Sequence, residues 1–161
     1  DRDTQGGVGQ VAHTFVADQQ PCRAFAVKQR EAAAHADVLR RERIVAISLA
    51  EDLRSGRRLV FVAGTMRELG ESSAALHAEV AGELAGLEPE LLALVGEFVP
   101  AFAPWRNRYA GRLLEASDAE AMAPLLAARL RGDELIVLKG SRGVTLERIL
   151  PAILHRAAPA T

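Results

Sequence analysis

The sequence predicts an α/β domain, a Rossmann-like, mainly parallel sheet with flanking helices, and three observations predict it. Apolar runs of strand length recur, at Leu59–Ala63, Leu91–Val95 and Glu134–Leu138. Stretches with apolar residues at helical spacing lie between them. Two of the runs end in glycine-bearing segments, Gly64 to Gly70 and Lys139-Gly140-Ser141-Arg142-Gly143. A strand buried on both faces reads as an unbroken apolar run. Alternation of such runs with amphipathic helices marks βαβ units joined by right-handed crossovers.

Residues 1–20 read as a linker or lead-in, because Gly6, Gly7 and Gly9 cluster there with little periodicity. That cluster is not a phosphate loop: such a loop closes in Gly-Lys-Ser/Thr, and Gln10-Val11 follow instead. The domain is expected over 21–156. Ala24–Val27 is a short strand, followed by an alanine-rich stretch. Ile44, Ile47, Leu49 and Leu53 fit a helix that Ser55-Gly56 ends.

After the Leu59 strand, Ser72–Leu84 reads as a helix with Leu76, Val80 and Leu84 on one stripe. Leu91–Val95, closed by Gly96, is the next strand. Phe98–Tyr109 is a short helix and loop broken by Pro100 and Pro104, and Leu113–Ala116 is a short strand. Ser117-Asp118-Ala119-Glu120 reads as a capping box, with Ser117 on the N3 amide and Glu120 reaching back. The helix it opens is expected to reach about Arg131, with Met122, Leu125, Leu126 and Leu130 inward and Pro124 costing it a hydrogen bond. Gly132-Asp133 turns into the Glu134–Leu138 strand. A last helix carries Leu146, Ile149, Leu150, Ile153 and Leu154, and 157–161 is a frayed tail.

Bulk properties exclude several classes. A chain of 161 residues that is 49% hydrophobic can bury one core and is not a disordered tail. No apolar run approaches the ~20 residues of a membrane span, so no membrane partner is expected. The polar, glycine-rich start argues against a secretory leader. A net charge of −1 argues against a nucleic-acid partner. Cys22 is the single cysteine, which excludes an internal disulfide and fits a reducing compartment. His13, His35, His77 and His155 lie far apart, and no metal-ligand spacing links them. A first residue of Asp rather than Met suggests a piece of something longer.

Ligands on parallel sheets sit at the carboxyl ends of the strands, where both glycine segments fall. In Lys139-Gly140-Ser141-Arg142 a guanidinium can grip a carboxylate bidentately, a hydroxyl can donate, and Lys139 adds charge. Amides of a helix starting straight afterwards would complete an anion site. The chain has 18 Arg and only two Lys, Lys28 and Lys139, so a Lys at this turn is notable. The plainer reading is a strand-to-helix turn with solvated cations. In the Gly64–Gly70 segment, Thr65 and Glu68 are weaker candidates, since the glycines can serve the turn alone and Glu68 can simply favour the next helix N-terminus. His77 is another, although a lone helical histidine is more often packed than catalytic. Trp105 and Tyr109, with Arg106 and Arg108, read as a surface loop over the sheet edge.

Three blocks then stand in a telling order: Val62-Ala63-Gly64-Thr65-Met66-Arg67-Glu68-Leu69-Gly70, the helix Ser72 to His77, and Leu138-Lys139-Gly140-Ser141-Arg142-Gly143. From about Arg57 to Leu154 they resemble the C-terminal domain of the Mur ligases, and among these the members that handle D-alanyl-D-alanine. That family shows Gly-Asp-Met-x-Glu-Leu-Gly, a helical His at the place of His77, and Lys-Gly-Ser-Arg. The resemblance implies part of a bacterial, cytoplasmic, monomeric ligase of cell-wall peptidoglycan, linked to cell shape and division. With ATP and Mg2+ it would phosphorylate the terminal carboxylate of a UDP-MurNAc-tripeptide, and the amine of D-alanyl-D-alanine would attack. The C-terminal domain closes over that site, with Lys139, Gly140, Ser141 and Arg142 toward the substrate, and by itself would be inactive. The other function weighed is a non-catalytic α/β module for a small anion or nucleotide.

Two departures accompany the resemblance. Thr65 stands where the family has Asp. The family's nucleotide-facing Asp-x-Tyr-Asn-Ala-Asn-Pro-x-Ser segment falls by spacing on residues 37–45, where only Asp37 matches. Codons for Leu39–Val45 read one base later can spell Tyr-Ala-Ala-Asn-Ala-Ser-Ser, which suggests a shifted reading frame up to about Val45.

Overall fold

The computed structural model describes residues 13–18, 23–28, 49–50 and 52–157. Among the described residues six strands form one sheet: β1 (His13–Asp18), β2 (Arg23–Lys28), β3 (Leu59–Gly64), β4 (Leu91–Val95), β5 (Leu113–Ala116) and β6 (Leu135–Gly140). Their order is β2-β1-β6-β3-β4-β5. The four strands β6, β3, β4 and β5 are mutually parallel, with Phe61 opposite Leu92 of β4 and Val137 of β6. The hairpin β1–β2 adds antiparallel strands along the β6 edge, with Phe15 opposite Leu138. The expected α/β, mainly parallel architecture is the observed one.

Alternation along the strands divides the core in two, because successive side chains point to opposite faces. Leu59, Phe61, Ala63, Leu92, Leu94, Leu135 and Val137 face one side. Against them pack Val80, Ala81, Leu84 and Ala85 of helix α1 (Ser73–Leu87) and Phe98 of the short α2 (Phe98–Ala101). The 3-10 turns Ala103–Tyr109 complete that layer. Phe102 and Tyr109 meet edge-on at 5.2 Å, and the Tyr109 hydroxyl donates to the Ala85 carbonyl at 3.0 Å. Burial raises the Tyr109 phenol above its ordinary value, against the opposing pull of Arg112 and Arg108. On the opposite face, Val60, Val62, Leu91, Ala93, Val95, Ile136 and Leu138 meet α3 (Ala119–Ala127) through Met122 and Leu126, and meet Ile149 of the 3-10 turn Leu146–Ile149 and Ile153 of α4 (Leu150–Ala157).

Several expectations need correction. Residues 13–18, placed within a linker, form β1, since the β6 edge supplies hydrogen-bond partners that no local pattern announces. The β6 strand runs to Gly140, so Lys139 and Gly140 extend the ladder instead of turning. The capping box is displaced by one residue: Asp118 caps, its Oδ1 accepting from the Ala121 N–H at 2.8 Å, while the Ser117 hydroxyl donates to Asp118 Oδ2. A carboxylate at that place gains both bonds and the helix-end field. Helix α3 stops at Ala127 rather than near Arg131, and Leu125 is 44% exposed rather than inward.

The chain runs β3–β4–β5 toward one edge and then returns across the sheet to place β6 on the other side of β3. Sheets of this kind bind ligands in the crevice beside the strand ends at such a reversal; here it sets the carboxyl ends of β3 and β6 side by side.

Candidate functional site

Two glycines let β3 and β6 end close together. A methyl added at Gly140 would lie 3.2 Å from the Gly64 Cα and 2.9 Å from the Leu146 side chain. Just beyond, the two chain segments bond to each other. The Ser141 N–H donates to the Thr65 carbonyl at 3.2 Å, and the Arg67 N–H donates to Ser141 Oγ at 2.8 Å. The third strand end joins them: the Glu97 N–H donates to Thr65 Oγ1 at 2.9 Å, and that hydroxyl reaches the Val95 carbonyl at 3.4 Å. Gly96 turns the chain here with φ +69, a conformation a side chain resists.

His77 is buried in α1, with Phe98 edge-on at 4.8 Å. Its Nε2 accepts from the Met66 N–H at 3.0 Å, and Nδ1 lies 2.8 Å from the Ser73 carbonyl. A ring that accepts at Nε2 and faces a carbonyl at Nδ1 is the neutral Nδ1–H tautomer. Nε2 therefore ties the 65–70 loop to the helix, while Nδ1 is engaged by Ser73 one turn earlier in the same helix. Ser73 Oγ donates to Glu97 Oε2 at 2.6 Å and stands 3.2 Å from His77 Nδ1.

Around this framework lies an open cleft of about 500 Å³, lined by Met66, Arg67, Glu68, Leu69, Gly70, Ser73 and Glu97. Glu68 is exposed with φ 66, a left-handed backbone at a non-glycine residue. Strain of this kind clusters at ligand clamps and switch segments.

The sequence-selected residues thus divide. Thr65, Ser141 and Gly140 meet where the β3 and β6 ends adjoin. Lys139 lies inside β6, opposite Ala63 of β3 and Thr14 of β1. Arg142 is exposed at the start of a 3-10 turn, Arg142–Val144. The helix expected straight after it does not form. Thr145 adopts φ 51, a second 3-10 turn follows, and α4 begins only at Leu150. The array of free helix amides anticipated for an anion is therefore not built there. Asp37 lies outside the described residues.

Sequence reasoning missed Arg67, Ser73 and Glu97. The available signal was the third glycine-ended strand, Val95-Gly96, whose next residue is Glu97. Among the described residues, no three His, Cys, Asp or Glu side chains gather as metal ligands. No helix among them is long and apolar enough to cross a membrane.

No known family profile matches the sequence, and no curated protein matches it significantly. Solved structures do match. MurF ligase from Thermotoga maritima in complex with ADP superposes with a TM-score of 0.54 at 24% identity, over 73% of this chain and 26% of that chain. Two structures of MurF from Acinetobacter baumannii give TM-scores of 0.59 and 0.57 at 21% and 22% identity. Each covers 82% of this chain, and 28% and 27% respectively of the other. This chain therefore spans about a quarter of the length of those proteins. What the likeness establishes is the fold: the chain is built as a Mur ligase C-terminal-like domain.

Proposed function

We propose that this chain is the C-terminal, substrate- and nucleotide-closing domain of an ATP-dependent ligase that adds D-alanyl-D-alanine to UDP-MurNAc-tripeptide in peptidoglycan synthesis. One observation carries the reading. The two loops that hold the Mur-like blocks meet at the switch-point crevice and bond to each other, through the Arg67 N–H on Ser141 Oγ and the Ser141 N–H on the Thr65 carbonyl. The matching fold in MurF structures, one of them solved with ADP, supports it.

In this reading ATP supplies the phosphoryl group that activates the tripeptide carboxylate. The exposed Arg142 guanidinium grips the carboxylate of the incoming dipeptide, a planar pairing to which guanidinium is suited. Ser141 Oγ already accepts from Arg67, so its own O–H is the group it offers to the ligand. Lys139, half-buried one residue before the crevice, adds positive potential. Closure of the domain over the reacting groups keeps water from the activated carboxyl. The phosphate-binding loop and the Mg2+ ligands belong to the other domains of the parent, a monomer of the bacterial cytoplasm that serves cell shape and division. The Thr65 hydroxyl is used in the framework, so no charge at that place takes part.

The test uses the longer protein that contains this chain. Arg142→Ala and Ser141→Ala are expected to lower D-alanyl-D-alanine ligation at least tenfold, while the isolated chain turns over no ATP. Unchanged ligation by Arg142→Ala, or ATP hydrolysis by the isolated chain, would refute the reading.

A further inference from the structure

The hydrogen bonds around the cleft close into a ring. Thr65 Oγ1 accepts from the Glu97 N–H, and the Glu97 carboxylate accepts from Ser73 Oγ. Ser73 meets His77 Nδ1 through its hydroxyl and its carbonyl, and His77 Nε2 accepts from the Met66 N–H, one peptide from Thr65. The ring links the end of β3, the first turn of α1 and the end of β4. The next residue along the loop is Arg67, whose amide docks on Ser141. Its side chain lies along Gly143, where an added methyl would come within 3.1 Å of it.

Every ring member has a definite directional duty. His77 must be neutral and carry its proton on Nδ1, Ser73 must donate to Glu97, and Glu97 must accept. A buried histidine without acceptor and donor roles would be expensive to keep. The His77 ring is buried behind Met66 and Ser73, which line the cleft, so it acts through them rather than by facing a ligand itself.

We infer that Ser73, His77 and Glu97 are positioning residues: as a closed ring they set the Thr65–Gly70 loop so that Arg67 reaches the β6 loop. The inference rests on the functional reading above only for its effect on ligation. The ring's control of the loop stands on geometry alone. Glu97 acts here as an acceptor rather than as a charge, so glutamine can replace it and alanine cannot.

Two measurements test it on separate ground. In the 161-residue chain, amide hydrogen exchange and 15N-resolved shifts report Met66 and Arg67, and imidazole 15N shifts report the His77 tautomer. Glu97→Ala, Ser73→Ala and His77→Ala are expected to speed exchange at the Arg67 amide at least tenfold. Glu97→Gln is expected to stay within threefold of wild type, with the Nδ1–H tautomer retained. Because His77→Ala also empties buried space, the variants at the less buried positions, Glu97→Ala and Ser73→Ala, carry the decision if it fails to fold. Unchanged Arg67 exchange in both, or an Nε2–H tautomer in the wild type, would overturn the ring.

In the parent ligase, Glu97→Ala is expected to raise KM for the amine substrate at least fivefold with kcat changed less than twofold, and Glu97→Gln to restore it. An equal loss in both variants would overturn the acceptor role. A wild-type parent that does not ligate would refute the functional reading while leaving the exchange result to decide the ring.

Discussion

Gly96→Ala should cost far more than an exposed turn mutation, and most of the cost should vanish when one hydroxyl is removed. Gly96 has φ +69, and a methyl there would come 2.2 Å from Thr65 Oγ1. Left-handed backbone at a side-chain-bearing residue costs about 1–2 kcal/mol. The hydroxyl must also leave, giving up its bonds to the Glu97 N–H and the Val95 carbonyl, at about 1 kcal/mol each. The whole penalty is therefore about 3–4 kcal/mol. For a chain of this length that lowers Tm by about 10 °C. In a Thr65→Ala background the remaining neighbours are the residue 65 Cβ at 3.5 Å and the Ser117 carbonyl at 3.8 Å, both ordinary contacts. There Gly96→Ala should cost only the backbone term, about 1–2 kcal/mol. Urea unfolding of the four proteins gives the coupling directly, expected at about 2 kcal/mol. Equal penalties in both backgrounds, within about 0.5 kcal/mol, would refute the placement of Thr65 against the β4 end.

Two further predictions concern the crevice and the second helical layer. Gly140→Ala meets the Gly64 backbone at 3.2 Å and 3.3 Å as well as Leu146, whereas the three atoms nearest a methyl at Gly64 all belong to the Leu146 side chain, at 3.0–3.1 Å. Overpacking against backbone should cost about 2–3 kcal/mol and against a movable side chain about 1 kcal/mol. Measured from a Leu146→Ala parent, most of the Gly64→Ala penalty should disappear and most of the Gly140→Ala penalty should stay. At Asp118 the Ala121 N–H, and then the Ser117 hydroxyl, hold the carboxyl below its ordinary value. Its contribution is therefore complete above the ordinary carboxylate range and is lost as pH falls through the depressed folded value. Asp118→Asn should flatten that part of the acid limb of a stability–pH curve, and an unchanged limb would contradict the cap.

The parallel half of the sheet was legible because β3, β4 and β6 are apolar runs buried on both faces, and few structures besides a central parallel strand produce so short and unbroken a run. The glycines at residues 64, 96 and 140 marked the strand ends for the same reason that they are needed there. β1 was not legible. His13–Asp18 is a strand because of β6, more than a hundred residues away, and its glycine-rich approach resembles a linker. Lys139-Gly140 looked like a turn because Lys and Gly weaken a strand locally, but pairing with β3 and β1 overrides that preference. Leu125 fitted a helical stripe, but the buried face of α3 is carried by Ala119, Met122 and Leu126, and Leu125 falls outside it.

The site was legible only in part. Ser141, Thr65 and Gly140 could be singled out from their loops, but Glu97 and Ser73 acquire meaning only when three strand ends meet. His77 was noticed for its chemistry. Its surroundings match the packed alternative, since Met66 and Ser73 engage both ring nitrogens.

The central claim, that this domain closes a Mur-type ligase, is tested most directly by reading the coding DNA across residues 1–60 in all three frames and extending it upstream. The account predicts an upstream ATPase domain with a Gly-Lys-Ser/Thr phosphate loop joined to this chain, with the Tyr-Asn-Ala-Asn-like segment appearing in the frame one base on. A continuous gene whose upstream region encodes no ATPase domain in any frame would contradict it.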